Sequence, residues 1–250
     1  MIAFYALSRA MLKEFLRDWF TLLFTFFFPL LFVVAYGVHE IAVSADPHAL
    51  LARVIPLYTW SVAGTGVFGM GMGLVDWRRR HLLRRIRQTP AGIVSVLFSR
   101  LAVIVLITSA QSAAFFTVLA LPPFRITLGA GWWLCLPLIA LGALSFACLG
   151  LLIGTRCAND QAGVALANLL ITPMALVCGT FFDLRQAPDW IQTTAHMLPL
   201  YHVNTAMTAV LAHGAPAAAL STPALSLLAF STGAALIALY LFRWEKNHPR

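Results

Sequence analysis

The chain has 250 residues, 60% of them hydrophobic and only 10% charged, with a formal net charge of +8. A soluble domain of this size keeps about a quarter of its residues charged, so the composition excludes an ordinary soluble enzyme and points to a membrane protein. The positive charge must first be weighed against membrane orientation, because cytoplasmic loops concentrate Lys and Arg.

Residues 1–18, MIAFYALSRAMLKEFLRD, carry helical periodicity. Arg9, Lys13 and Arg17 form an i, i+4 stripe, and Phe4, Leu7, Met11, Leu12, Phe15 and Leu16 fill much of the remaining surface. This predicts an amphipathic helix lying on the cytoplasmic membrane surface, or else a charged topology anchor. The run that follows, WFTLLFTFFFPLLFVVAYGV, is longer than a signal-peptide core of about 7–15 residues, so it is read as a retained span.

A helix needs about 20 apolar residues to cross the hydrocarbon. Six segments qualify: 19–38, 54–75, 93–119, 131–153, 161–181 and 223–242. The chain is thus expected to be one all-α transmembrane domain over 1–250. Pro29 and Pro173 lie inside the first and fifth segments and predict kinks. Every Lys and Arg except Arg53, Arg125 and Arg185 falls before the first segment, after the last, or in the second and fourth intervals, with Arg100, near the start of the third segment, counted with the second interval. The asymmetry predicts both termini in the cytoplasm and accounts for most of the net charge without nucleic acid.

Within the second segment, GTGVFGMGMG (Gly64 to Gly73) opens with a formal G-x-G-x-x-G. A dinucleotide turn needs that pattern between a strand and a helix N-terminus. Here the glycines lie inside a membrane-length apolar run. Two readings remain: a helix-packing surface, with Gly69 and Gly73 as a small-xxx-small pair, or the small-residue wall of a transport pathway, with Met70 and Met72 as adaptable contacts.

The next interval, DWRRRHLLRRIRQTP (Asp76 to Pro90), reads as a helix with Leu82, Leu83 and Ile86 on one face. Arg80, Arg84 and Arg87 fill a second face, and Arg78 and Arg85 a third. It predicts either a basic membrane-surface helix or a docking element for a partner with an acidic groove. In the interval 181–223, Pro188 is expected to start a short helix and Leu198–Pro199 to break it. A second helix from about Tyr201 to Gly214 would complete a re-entrant or interfacial pair.

Cys135, Cys148, Cys157 and Cys178 form no C-x-x-C pair and read as small apolar side chains. His39, His48, His196, His202 and His213 share the outer side without the tight spacing of metal ligands. The polar residues expected inside the spans are chiefly Gln111 and Asn168, with Asp160 at a boundary. Ion-coupled carriers keep ionisable groups there, so energy is expected to come from outside the chain. The alternatives are an ion-coupled secondary carrier and a membrane enzyme or assembly subunit.

DWRRRHLLRRIRQTPAGIVSVLFSRLAVIV resembles the loop before the third span of type-two ABC exporter permeases. GTFFDLRQAPDWIQTTAHMLPLYHVNTAMTAVLAHG is similar to the region after that family's fifth span, with Pro188–Trp190 and Leu198–Tyr201 carrying its Pro-x-Trp and Leu-Pro-Leu-x-Tyr elements. The family's usual Glu-Arg-Glu followed by Gly-Thr is replaced here by DWRRRHL. The resemblance implies a permease subunit of an ATP-driven exporter in a bacterial cytoplasmic membrane, paired with a second permease and with two ATPase subunits that bind ATP and Mg. It implies no catalytic residue, cofactor or metal in this chain. Arg80, Leu82, Leu83, Arg84, Arg85, Ile86 and Arg87 would form the ATPase-coupling helix. Gly66, Gly69, Met70, Gly73 and Asn168 would line the pathway of an amphipathic cargo, a drug-like metabolite or a lipid-linked glycan.

Overall fold

The computed structural model describes residues 2–43, 46–79, 93–122, 124–126, 129, 131–157 and 159–241. Among these, all regular structure is helical. Helix α1 is Ile2–Arg17. Helix α2 runs Trp19–Val43 and contains a π-helical turn at Leu23–Phe27. Helix α3 is Pro47–Arg79, α4 Ile93–Ala120, α5 Cys135–Arg156 and α6 Asp160–Val177. Two shorter helices follow, α7 Asp189–Ala195 and α8 Pro199–His213, before α9 Ser221–Leu241. Short 3-10 turns lead into α5 and α9.

Among the described residues, five helical stretches are long and apolar enough to cross a membrane: Trp19–Val43, Val94–Ala120, Trp132–Arg156, Asp160–Val177 and Ala217–Leu241. The expected segment 54–75 falls in α3, which is not among them. Its composition has a physical reason. Eighteen of its 33 residues are buried, including Thr59, Gly66, Gly71 and Gly73. A helix wrapped by other helices needs close approach rather than lipid-like side chains. Helix α3 touches α2, α4, α5, α6 and α8, and its contact with α5 is the most extensive in the molecule.

That contact is made backbone to backbone. A Cβ added at Gly66 would come 2.6 Å from the Phe146 Cβ. One at Gly71 would sit 3.0 Å from the Gly150 carbonyl, and one at Gly150 would overlap the Val67 carbonyl. At Gly154 it would come 2.8 Å from the Leu74 Cβ. Gly64 differs, for nothing lies within 4 Å of where its Cβ would be.

The helix ends are fixed by local chemistry. Asp18 accepts from Thr21 N at 3.2 Å and from Thr21 Oγ1 at 2.5 Å, capping α2. These bonds, the hydroxyl foremost, hold its carboxyl below the usual range. Asn159 Oδ1 accepts from Ala162 N at 2.8 Å, capping α6. Arg78 donates to the Gly154 and Thr155 carbonyls at 3.1 and 2.9 Å, placing a cation on the open C-terminus of α5. Its neighbour Arg79 pairs with Asp160 at the start of α6. Helix α6 stops short of the expected 181, because Gly179 adopts a left-handed turn at φ 75°. The Leu198–Pro199 pair does more than break α7. Pro199 opens α8, where a missing N–H costs nothing.

Helix α1 lies against α4. Its Leu7 and Met11 pack on the core, and Ser99 donates to the Phe4 carbonyl at 3.3 Å. Arg9, Lys13 and Arg17 are exposed. Only 11% of the α2 stretch is buried, against 61% for α5. Helix α2 therefore stands at the rim and α5 at the centre.

The seam predicts a contrast between two glycines of similar helical context. Gly150→Ala should destabilise the protein by about 1–3 kcal/mol, because the new methyl group overlaps a backbone carbonyl. Gly64→Ala should be neutral or stabilise by up to about 1 kcal/mol, since it meets open space and improves helix propensity. Thermal unfolding of the detergent-solubilised variants reads the difference.

Candidate functional site

On the face of α3 turned away from the seam is a cavity of about 710 Å³. Helix α3 contributes Leu57, Trp60, Ser61, Gly64, Thr65, Phe68, Gly69 and Met72, a stripe at steps of three and four residues. Opposite lie Phe20, Thr21, Phe24, Thr25, Phe28, Pro29 and Phe32 of α2. Helix α4 adds Arg100, Val103, Ile104 and Ile107, and α6 adds Asn168, Ile171 and Thr172. Met11, Glu14, Phe15 and Asp18 close the end nearest α1. The walls are aromatic and aliphatic, interrupted by hydroxyls, one amide, one guanidinium and two carboxylates.

Two of the five pathway residues expected from sequence, Gly69 and Asn168, line this space. The other three do not. Gly66 is spent on the α5 seam, and Met70 is buried in the core. Gly73 leaves room for the Arg100 side chain, whose guanidinium occupies the position a Cβ would take. Met72, not Met70, faces the cavity. Asp76, Arg78 and Arg79 end α3. The coupling residues Arg80, Leu82, Leu83, Arg84, Arg85, Ile86 and Arg87 lie outside the described residues.

The wall formed by α2 went unread in the sequence, although Phe20, Phe24, Phe28 and Phe32 recur every four residues with Thr21 and Thr25 beside them. Pro29 lies two residues beyond its π-helical turn. Pro29 has no N–H and cannot give the helical bond to the Thr25 carbonyl. The amide of Gln111 supplies the missing donor: its Nε2 donates to Thr25 O at 2.8 Å and to Ser61 Oγ at 3.1 Å. A single α4 side chain thus ties α2 to α3 across the cavity edge. Gln111 is buried, and its Oε1 has no hydrogen-bond partner among the described residues.

Other polar pairs in the interior are structural straps. Tyr58 OH lies 2.6 Å from Ser112 Oγ, joining α3 to α4. Thr59 donates to Asn204, joining α3 to α8. Ser145 and Ser231 lie 2.7 Å apart, joining α5 to α9. Away from water, each pair satisfies groups that would otherwise be costly to bury. Four histidines make ring contacts or a backbone bond. His48 stacks on His213 at 6.0 Å, His196 on Tyr201 at 4.5 Å, and the His202 Nε2 lies 2.9 Å from the His196 carbonyl. Burial pushes the His202 imidazole below its ordinary value.

Apolar helices of membrane length around an amphipathic chamber define a multi-pass membrane protein. The family model of the ABC-2 type transporter matches residues 2–212, and the chain belongs to that family. It is 38% identical over 119 residues to nodulation protein J of Bradyrhizobium diazoefficiens, covering 46% of this chain and 45% of that one. A second nodulation protein J, from Neorhizobium galegae, is 34% identical over 92 residues, 36% of this chain and 35% of its own. These matches span less than half the length of either relative. The putative transport permease YvfS of Bacillus subtilis is 26% identical over 217 residues, 84% of this chain and 85% of its own.

The proline–glutamine pair makes a testable coupling. With Pro29 in place, Gln111→Leu should destabilise the fold by about 1 kcal/mol, because the Thr25 carbonyl loses its donor. With Pro29→Ala the backbone N–H returns, and Gln111→Leu should become neutral or stabilising. A double-mutant cycle in thermal unfolding measures the difference, and additive effects would refute the link.

Proposed function

We propose that this chain is the permease subunit of an ATP-driven exporter. In this reading α3 is the sixth crossing, for its 33 residues reach about 50 Å against a hydrocarbon core of about 30 Å. Both termini lie in the cytoplasm, and α1 rests on the inner surface of a bacterial cytoplasmic membrane. Helices α7 and α8 form the outer helical pair. A second permease copy or paralogue completes the membrane unit, and two separate ATPase subunits bind ATP and Mg. The observation that carries this reading is the cavity. It lies among four membrane-length helices, its walls are amphipathic, and it ends at α1, where an amphipathic cargo from the inner leaflet could be taken up. That cargo is a drug-like metabolite or a lipid-linked glycan.

The basic asymmetry supports the orientation, and it can be checked directly. In a variant lacking the four native cysteines, single cysteines at Asp46 and Gln186 should react with an impermeant thiol reagent in intact cells. A cysteine at His81 should not, and labelling there from outside would invert the topology.

Arg84, Ile86 and Arg87 are proposed to dock into an acidic-rimmed groove of the ATPase. Losing partners in such a contact costs about 2–5 kcal/mol, so Ile86→Asp, and Arg84→Glu combined with Arg87→Glu, should each weaken ATPase co-purification roughly thirtyfold or more. Undiminished pull-down of both variants, correctly inserted, would remove this segment as the coupling element. An ion-coupled carrier would transport without any ATPase partner.

A further inference from the structure

Arg100 is a lone cation set two turns into an otherwise uncharged helix, in the wall of the cavity. An arginine in such a place is costly unless something uses its charge. Three contacts fix its position. Its Nε donates to the Gly69 carbonyl at 2.6 Å. Its guanidinium carbon lies 5.0 Å from the centre of the Trp77 ring. The missing side chain of Gly73 leaves the groove in which the guanidinium lies. Among the described residues the Gly69 carbonyl is its only hydrogen-bond acceptor, and the two ion pairs are Arg53–Glu40 and Arg79–Asp160. The two terminal nitrogens of a held guanidinium are thus left with donors to give.

The charges around it are Glu14, Asp18 and Asp76. Asp18 is taken up by Thr21 as the cap of α2. Asp76 is engaged at the end of α3 and, like Glu14, acts on Arg100 through its field. Glu14 is exposed at the cavity rim. From Arg100 the apolar wall runs away from α1 along Phe24, Phe28 and Phe68.

We propose that Arg100 is the head-group anchor of the cavity, binding an acidic group of an amphipathic cargo whose apolar body lies along Phe24, Phe28 and Phe68. A planar guanidinium fork matches the oxygens of a carboxylate, sulfonate or phosphate and holds them in two parallel bonds. Its fixed position means that little rotamer freedom is lost on binding. The arrangement also puts the charged head near the end marked by α1 and the tail at greater depth, the orientation an amphiphile already has in a leaflet. A cationic amphiphile of the same length would meet a like charge at that place. Glu14 across the rim weakens the anchor and sets how readily the head group is released.

This inference rests on reading the cavity as the chamber that takes up cargo, and its test is a binding measurement that needs no ATPase. The full chain, held in a neutral maltoside detergent, is titrated with dodecyl phosphate and with dodecyltrimethylammonium, which share one tail. Dodecyl phosphate should bind at least tenfold more tightly. Arg100→Gln should remove that preference, Arg100→Lys should keep most of it, and Glu14→Gln should strengthen phosphate binding a few-fold. Thr65→Asp retains the arginine but places a carboxylate one turn from Gly69 on the same wall. It should abolish the preference too, and it answers the question should Arg100→Gln fail to fold. Equal binding of both probes to the native chain, tighter binding of the ammonium, or an unchanged preference in Arg100→Gln would overturn the proposal. Co-purification of the ATPase is read separately. Its presence without a phosphate preference would leave the ATP-driven reading standing and sink the anchor. A phosphate preference with no ATPase would do the reverse.

Discussion

The contact between α3 and α5 is the constraint on which the rest of the molecule hangs. Gly66, Gly71, Gly150 and Gly154 let the two helices meet at backbone distance over several turns. Lipid tails are as apolar as leucine, so hydrophobic burial gives little drive for helices to associate inside a membrane. Tight packing supplies it instead. One face of α3 is committed to that seam, and the opposite face is free to be a wall. The stripe from Leu57 to Met72 is that wall. The glycines of GTGVFGMGMG are therefore divided between two tasks. Gly66 and Gly71 serve the seam, Gly64 and Gly69 the cavity, and Gly73 the arginine.

A second division concerns polar groups. Hydroxyl and amide pairs in the interior tie helices together: Tyr58 with Ser112, Thr59 with Asn204, Ser145 with Ser231. Gln111, which the sequence marked only as an uncharged polar residue inside a span, belongs with them. Its task is to answer a donor that Pro29 lacks. The proline thus fixes which α4 side chain reaches α2. Helix α2 is otherwise lightly held, and this bond joins it to the wall of α3 through Ser61.

The helices were largely legible, because membrane-length apolar runs have few alternative structures. Their ends were less so. Helix α3 extends well past 54–75 in both directions, through Pro47–Arg53, where Leu50 and Leu51 pack into the core, and through the polar Asp76–Arg79. Arg78 and Arg79 read as topology signals, yet their side chains cap α5 and pair with Asp160. The candidate site was half legible. Asn168 stood out as an amide in an apolar run, and Gly69 as part of a small-residue pair. Met70 could not be told from Met72 without the phase of the helix against α5. Arg100 was counted among loop charges, although the expected segment 93–119 already placed it two turns inside α4. The aromatic face of α2 was visible as a four-residue repeat, but a lipid-facing helix would show the same pattern.

The account stands on α3 having one face sealed and one face open to a chamber. A cysteine scan of residues 59 to 72, in a chain lacking its four native cysteines, reads that arrangement directly. A small hydrophilic thiol reagent should modify cysteines at Ser61, Gly64, Thr65, Phe68 and Met72. Cysteines at Val62, Ala63, Val67 and Met70 should stay unreactive in the folded protein. Reactivity in the second set with silence in the first, or equal modification of both, would contradict a chamber on this face of α3.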